Sequence, residues 1–132
     1  MARTIELADG VYRIATDNYR LNTGLVLGLE RALVVDTGAG PRQATEIYDE
    51  VRRLTRLPIT VVNTHGHYER FFGNDVFAAM GAEEFWAHPR AARAIRKYGE
   101  AQRPYVETLE PEMAHHQGAA TNIIVPNCLV AN

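Results

Sequence analysis

Apolar residues follow two different patterns along the chain, and the change comes after the first third. The β-rich runs Thr4–Leu7 and Val11–Thr16 lie on either side of Asp9-Gly10, a dipeptide typical of tight turns. They predict a β-hairpin. Thr23–Leu29 and Ala32–Asp36, with only two residues between them, predict a second hairpin.

The central strands of this pattern are apolar without alternation. Leu25-Val26-Leu27 and Leu33-Val34-Val35 are continuous hydrophobic runs, and such runs are typical of strands that are covered on both faces. The helices that the sequence predicts suffice for one covering layer only. We therefore expect one apolar sheet face to lie bare and to be a surface for association.

Helical spacing begins at Pro41, a residue well suited to open a helix, and Ala44, Ile47 and Val51 then recur on one face. The other predicted elements are a strand at Ile59–Asn63, a helix from Asn74 to Met80 ended by Gly81, a strand at Glu84–Ala87, a helix from Pro89 to Tyr98 closed by Gly99, and a last strand at Asn122–Val130. Alternating strands and helices after two hairpins indicate an α/β fold with a mixed sheet and helices on one face.

Composition and charge narrow the class of protein. The 132 residues suit one domain, and 46% hydrophobic with 23% charged residues is a globular balance. A formal net charge of -2 argues against nucleic acid or an acidic membrane as the partner. Cys128 is the single cysteine, which excludes an intrachain disulfide. With no apolar stretch long enough for a signal peptide or a membrane span, we expect a cytoplasmic protein.

Chemistry-bearing residues cluster after the strand at Ile59–Asn63. His65 and His67 are two positions apart, so in extended backbone their imidazoles project to the same side and can reach one ion. Glu69 follows closely enough to add a carboxylate. Zinc accepts both kinds of ligand, so the spacing predicts a zinc site.

The histidines also have interpretations other than metal binding. A bare His-x-His near a strand end is more typical of hydrogen-bonded loop residues than of a metal site. His115 and His116 are adjacent, so their side chains diverge, and His88 precedes a proline as a structural residue. Cys128 lies in an apolar run, where cysteine acts as a small hydrophobe.

The flanking residues favour the metal site because they resemble a known family. Thr64-His65-Gly66-His67-Tyr68-Glu69-Arg70 is similar to the Thr-His-x-His-x-Asp-His signature of the metallo-β-lactamase superfamily. The similarity extends upstream to Val35-Asp36-Thr37-Gly38 and downstream to Gly73-Asn74, and it covers nearly the whole chain. The resemblance implies the N-terminal half of an αββα sandwich, hydrolysis of a small-molecule substrate, and one or two zinc ions.

The resemblance also implies residue roles. His65 and His67 match the first two zinc ligands, and Glu69 stands where the family has an aspartate that binds a second metal and orients the attacking water. Arg70 stands where many members have a histidine ligand. Asp36 matches an aspartate that supports the metal loop, although Asp-Thr-Gly is equally typical of a turn.

Two departures from the family's pattern leave an alternative function open. Glutamate is one methylene longer than aspartate, which puts the water-orienting role of Glu69 in doubt. The family's later ligands lie in its second half, and the sequence ends at Asn132. Residues 1–132 are then a single incomplete domain. The alternative is a truncated, inactive fragment or an interaction module, which associates with itself or with a complementing C-terminal half.

Overall fold

The computed structural model describes residues 2–16, 21–109 and 121–131, which form a seven-stranded sheet and four helices. The strands are β1 (Arg3–Ala8), β2 (Val11–Ala15), β3 (Asn22–Leu27), β4 (Ala32–Val35), β5 (Ile59–Asn63), β6 (Phe85–Ala87) and β7 (Cys128–Leu129). The helices are α1 (Pro41–Leu54), α2 (Tyr68–Phe71), α3 (Asn74–Ala79) and α4 (Pro89–Leu109). None of these described helices is long and apolar enough to cross a membrane.

The order of strands across the sheet is their order along the chain. Strands β1 to β4 pair antiparallel, and β4 to β7 pair parallel. Both predicted hairpins are therefore confirmed, and Gly10 takes the left-handed conformation (φ 72°) that the first turn requires. The helices come between the parallel strands, because a parallel connection needs a long crossover. The expected mixed α/β sheet is confirmed.

One face of the sheet, here called the covered face, holds the main core. Helix α1 places Ala44, Ile47 and Val51 against it, and α3 adds Phe77. The strand residues in this cluster are Ile14, Leu25, Ala32, Val34, Ile59, Val61 and Phe85. Helix α4 packs on the same face through a smaller cluster around Ala87, and α2 packs against α4. The helices form one layer, as predicted.

The opposite face, here called the open face, has no helix on it in the described part of the chain. Its apolar side chains belong to two rows of paired strand residues: Ile5, Val35, Val62 and Trp86 in one, and Val11, Val26 and Leu33 in the other. Each of the seven is exposed or half-buried, and none is buried. The continuous apolar runs are typical of strands covered on both faces. In the described part of the chain, however, only one face of these strands is covered.

Expectations for the last third were partly wrong. Helix α4 does not close at Gly99 but continues to Leu109. Gly99 is buried where α4 meets Ile123, and a Cβ there would lie 3.2 Å from Ile123 Cδ1, so close packing explains this glycine. The strand expected over Asn122–Val130 shrinks to β7. Before it, the Asn127 side chain accepts a hydrogen bond from the Phe85 N–H at 2.9 Å, in place of a strand ladder.

Two local expectations also change around the second short helix. No element was predicted between the strand at Ile59–Asn63 and the helix from Asn74, and residues 68–71 form the short helix α2 there. Asn74 begins α3 as predicted, but its side chain caps nothing and joins a buried polar network described below. His115 and His116 lie outside the described residues.

Candidate metal centre

Three potential ligands meet where β5 ends and α2 begins. His65 and His67 lie in the connecting loop, and Glu69 is in the first turn of α2. One ligand atom from each lies within 4.8 Å of the other two, and no other such group of three occurs among the described residues. The structure thus brings together the three residues that the sequence predicted as ligands.

The cluster is open to solvent on its histidine side and closed on its carboxylate side. Side-chain exposure is 56% for His67 and 14% for Glu69, and His65 is also exposed. The two imidazoles are nearly parallel, with ring centroids 6.1 Å apart. Glu69 Oε2 contacts His67 Nδ1 but makes no hydrogen bond of normal geometry with the described residues. A small molecule could therefore approach the ligand atoms from the histidine side.

Asp36 holds the loop that carries the histidines. It follows β4 in a left-handed conformation (φ 69°), which aspartate tolerates better than most residues. Its carboxylate accepts hydrogen bonds from the Thr64 N–H and the Thr64 hydroxyl, both at 2.8 Å. Burial raises the pKa of the Asp36 carboxyl, while the Thr64 hydrogen bonds and the Arg70 charge act in the opposite direction. The aspartate predicted to support the metal loop lies in contact with it.

Thr64 extends this support to the first histidine. Its hydroxyl donates to Asp36 and lies 3.1 Å from His65 Nδ1. A hydroxyl has one hydrogen, so once this is given to Asp36 its oxygen can only accept from His65. That arrangement places the proton on Nδ1 and leaves Nε2 free as a metal ligand.

Arg70 lies between the two carboxylates of the site. Its Nη1 is 3.4 Å from Asp36 Oδ2, and its Nε is 3.9 Å from Glu69 Oε1. The Nε group is buried and has no hydrogen-bond partner among the described residues. A guanidinium cannot ligate a cation, so Arg70 contributes charge and position where the family's histidine would contribute a ligand.

A buried polar network beneath the loop was missed in the sequence. Asn63 and Asn74 form a reciprocal pair, with amide-to-oxygen distances of 2.7 and 3.1 Å, and Thr37 donates to Asn74 at 2.7 Å. The Asn63 amide and the Thr37 backbone N–H also donate to the Arg70 carbonyl, at 2.9 and 3.1 Å. All three side chains are buried. The available signal was a polar residue at the end of an apolar strand, as in Val61-Val62-Asn63.

Helix α4 forms the wall beside the histidines, which the sequence also did not predict. Gln102 donates a hydrogen bond to the Gly66 carbonyl at 2.9 Å. A Cβ at Gly66 would lie 2.7 Å from Ala94 Cβ, so the glycine lets the helix approach the metal loop. His67, Tyr68, Gln102 and Tyr105 line a cavity of about 380 Å³ at this wall.

The remaining candidate ligands lie outside the cluster. His88 is exposed, and its Nδ1 accepts a hydrogen bond from the Arg90 N–H at the start of α4. Cys128 is a half-buried free thiol in β7. Neither belongs to the group of three.

Solved structures with a similar fold include two metallo-β-lactamases and the protein TMB-1. The enzyme from Erythrobacter litoralis is 20% identical with a TM-score of 0.64, over 98% of this chain and 50% of its own. The enzyme from Hirschia baltica is 20% identical with a TM-score of 0.61, and TMB-1 is 15% identical with a TM-score of 0.58. Both comparisons cover 74% of this chain and 48% of the other. The chain spans about half the length of these proteins.

The family comparison includes the metal loop and most of the helices. The family model for the metallo-beta-lactamase superfamily matches residues 19–119. This range contains Asp36 and all three residues of the cluster, and it is well over half of the 132 residues. The chain therefore belongs to the metallo-β-lactamase superfamily.

Proposed function

We propose that this protein is a metal-dependent hydrolase whose zinc ion is held by His65, His67 and Glu69. The observation that supports the proposal most directly is the convergence of these three side chains at one edge of the sheet. Membership of the superfamily supports the same reaction class. The substrate class of the whole family, which includes lactams, thioesters, other esters and phosphodiesters, stays open at this level.

The residues present fit a catalytic zinc site. Two histidines and one glutamate are a known ligand set for catalytic zinc, with the fourth position left for water. Ligand atoms on a tetrahedral zinc ion lie roughly 3.3 Å apart, given bonds of about 2.0–2.1 Å. The observed spread of up to 4.8 Å needs only small side-chain movements to reach that geometry. Zinc bound there would lower the pKa of a bound water towards about 7 and polarise the substrate oxygen.

The protein's own residues would then position the reactants. Thr64 and Asp36 fix the orientation of His65, and Arg70 keeps positive charge beside the Glu69 carboxylate. The Glu69 carboxylate oxygen that does not hold this zinc would orient the attacking water or bind a second ion. In the hydrolysis, the water oxygen forms a bond to the acyl or phosphoryl centre, the bond to the leaving group breaks, and the water proton passes to that group.

Zinc content tests the proposal. The chain purified without added metal should bind zinc weakly, because three side chains give an open site. Replacing both His65 and His67 by alanine should abolish uptake, whereas His88→Ala, at an exposed histidine outside the cluster, should leave it unchanged. Uptake that survives the double substitution would show that the ligands are wrongly assigned.

Turnover tests the second half of the proposal. Hydrolysis of a panel of ester, thioester and lactam substrates should depend on added zinc and disappear in the double histidine variant. Absence of turnover in a zinc-loaded chain would contradict the hydrolase assignment. In a protein reconstructed to the length of its relatives, Glu69→Asp should raise activity if the shorter carboxylate restores the family geometry, and a fall would show a site adapted to glutamate.

A second candidate function, an interaction module, is favoured by the open face. We propose that this face associates with a second copy of the chain. Seven strands about 4.8 Å apart and about five residues long give a face of the order of 500 Å², so two copies would bury about 1,000 Å². That area is at the lower limit of specific interfaces, so the expected dimer is weak.

We propose no nucleic-acid or membrane partner, and the low cysteine content supports a cytoplasmic location.

A further inference from the structure

The cavity beside the metal cluster has the features of a ligand site that the sequence did not predict. It measures about 380 Å³ and is lined by His67, Tyr68, Gln102 and Tyr105. Small-molecule sites fall at about 300–1,000 Å³ and combine apolar walls with few polar groups. His67 belongs both to this cavity and to the metal cluster. A ligand in the cavity would therefore lie directly beside the ligand atoms.

Aromatic side chains dominate the wall. The Tyr68 ring lies 4.8 Å from the His67 ring, centroid to centroid, in a tilted arrangement. Gln102 and Tyr105 lie three residues apart on α4, so they share a side of that helix. Tyr105 is 66% exposed. A large aromatic side chain left in solvent at the edge of a cavity gains contact area when a planar ligand covers it.

Gln102 gives the cavity one polar feature. Its amide nitrogen is used by the Gly66 carbonyl at 2.9 Å, but its amide oxygen is buried and has no partner among the described residues. A buried acceptor without a donor costs stability, and such groups are uncommon in folded proteins. Because Gln102 lines the cavity, a rotation of its side chain would turn this oxygen towards a ligand N–H placed near the ring.

We propose that this cavity binds a single aromatic ring of a small substrate that carries an amide or similar N–H group next to the ring. This ligand is a substrate only if the proposed hydrolase function holds, and the proposal rests on that function to this extent. Binding itself needs neither zinc nor turnover. The ring would lie between Tyr105 and Tyr68, and its substituent would extend past His67 to the metal cluster. Aryl-substituted carbonyl compounds are then the favoured substrate class.

Nuclear magnetic resonance on the ¹⁵N-labelled chain without added metal tests the binding. Benzamide and cyclohexanecarboxamide share the amide and differ in the aromatic ring. Benzamide should shift the backbone amides of Gly66, His67 and Gln102, and it should bind several-fold more tightly than the saturated amide. Tyr105→Ala should weaken benzamide binding by about two- to twelvefold, the range that corresponds to one aromatic contact.

Two controls make the result specific. Tyr105→Phe keeps the ring and should bind benzamide like the unaltered chain. Tyr98→Ala removes another exposed tyrosine of α4, one outside the cavity, and should have no effect. Shifts located elsewhere, equal binding of the two amides, or unchanged binding by Tyr105→Ala would each overturn the proposal. Failure of the zinc or turnover experiments leaves these measurements unaffected, so the two proposals fail separately.

Discussion

The two faces of the sheet are built from the same strands and have nearly the same composition, yet they differ in what covers them. In β4, Val34 points to the covered face and is fully buried, whereas its neighbour Val35 points to the open face and is half-buried. In β3, Leu25 and Val26 show the same contrast, with Val26 38% exposed. Alternation of burial along these strands therefore comes from the helix layer and not from alternation in the sequence.

The difference shows that hydrophobicity alone does not fix where a side chain contributes stability. Burial of apolar surface is worth about 25 cal/mol per Å², so a valine gains this only when another element packs on it. The covered face gains it from α1, α3 and α4. The apolar side chains of the open face would gain the same free energy if another surface packed on them. This is the physical basis for expecting association there. Matched substitutions on the two faces test the contrast.

The largest expected contrast comes from two glycines. A Cβ at Gly73 would lie 2.0 Å from the Thr37 carbonyl oxygen and 2.8 Å from Ala44 Cβ, and backbone cannot yield there. A Cβ at Gly24, on the open face, would lie 3.2 and 3.3 Å from Val35 Cβ and Cγ2, a close contact with one side chain that can move by a few tenths of an ångström. Gly73→Ala should lower the free energy of unfolding by more than about 3 kcal/mol, and Gly24→Ala should change it by less than about 1 kcal/mol.

Urea unfolding followed by circular dichroism measures both glycine variants. Equal losses of stability in the two would contradict the view that the open face has free space. The measurements should be made at low protein concentration, so that association does not contribute.

The second contrast compares two adjacent valines of β4. Val34→Ala removes contacts inside a close-packed cluster and should cost about 2–3 kcal/mol, from lost burial and the cavity that remains. Val35→Ala removes the same atoms from a half-buried position and should cost less than about 1 kcal/mol. The same unfolding experiment applies. A cost at Val35 as large as that at Val34 would mean that the open face is already covered.

The third and smaller effect concerns Asp36, which follows β4 at the end of the sheet that carries the histidine cluster. Asp36→Asn keeps the shape and the left-handed conformation but replaces one of the two oxygens that accept the Thr64 hydrogen bonds by an NH2 group, which cannot accept. The free energy of unfolding should fall by about 1 kcal/mol. If zinc binds as proposed, its affinity should fall by roughly tenfold as well, because the histidine loop is held less firmly. Asp49→Asn, at an exposed position of α1, is the control and should change neither quantity.

Local patterns account for the parts of the fold that could be predicted from sequence. The Asp9-Gly10 turn, the spacing of Ala44, Ile47 and Val51, and the two-residue spacing of the histidines all act over a few residues. The mixed sheet and the cluster of His65, His67 and Glu69 follow from such patterns. The family resemblance added the order of elements and the position of Asp36.

Contacts between distant residues account for what could not be predicted. Asn74 donates to the Ile124 carbonyl fifty positions later in the sequence, at 3.1 Å, so its local context indicated only the start of a helix. Gly99 suggested a helix end, but it is needed for packing against Ile123. The Gln102 contact with Gly66 spans 36 positions. Side chains of this kind reveal their role only when the partner element is in place.

The smallest effect on stability should accompany a clear effect on association. Val26→Lys places a charge on the open face at a position already 38% exposed, so the free energy of unfolding of the monomer should change by less than about 0.5 kcal/mol. Burying that charge between two apolar faces is costly, so the dimer should weaken by at least about tenfold. Met80→Lys is the control, since Met80 is 55% exposed and lies at the end of α3, on the covered face of the sheet.

Sedimentation velocity over a range of concentrations gives the oligomeric state of both variants, and Trp86, the single tryptophan, reports the environment of the open face by its emission. Dimerisation should bury Trp86 and shift its emission to the blue in the unaltered chain but not in Val26→Lys. A chain that stays monomeric while binding a hydrophobic dye would mean that a different polypeptide covers the face. A monomer that binds no dye would contradict the exposed apolar surface itself, because a face that exposes seven apolar side chains in two rows should bind the dye.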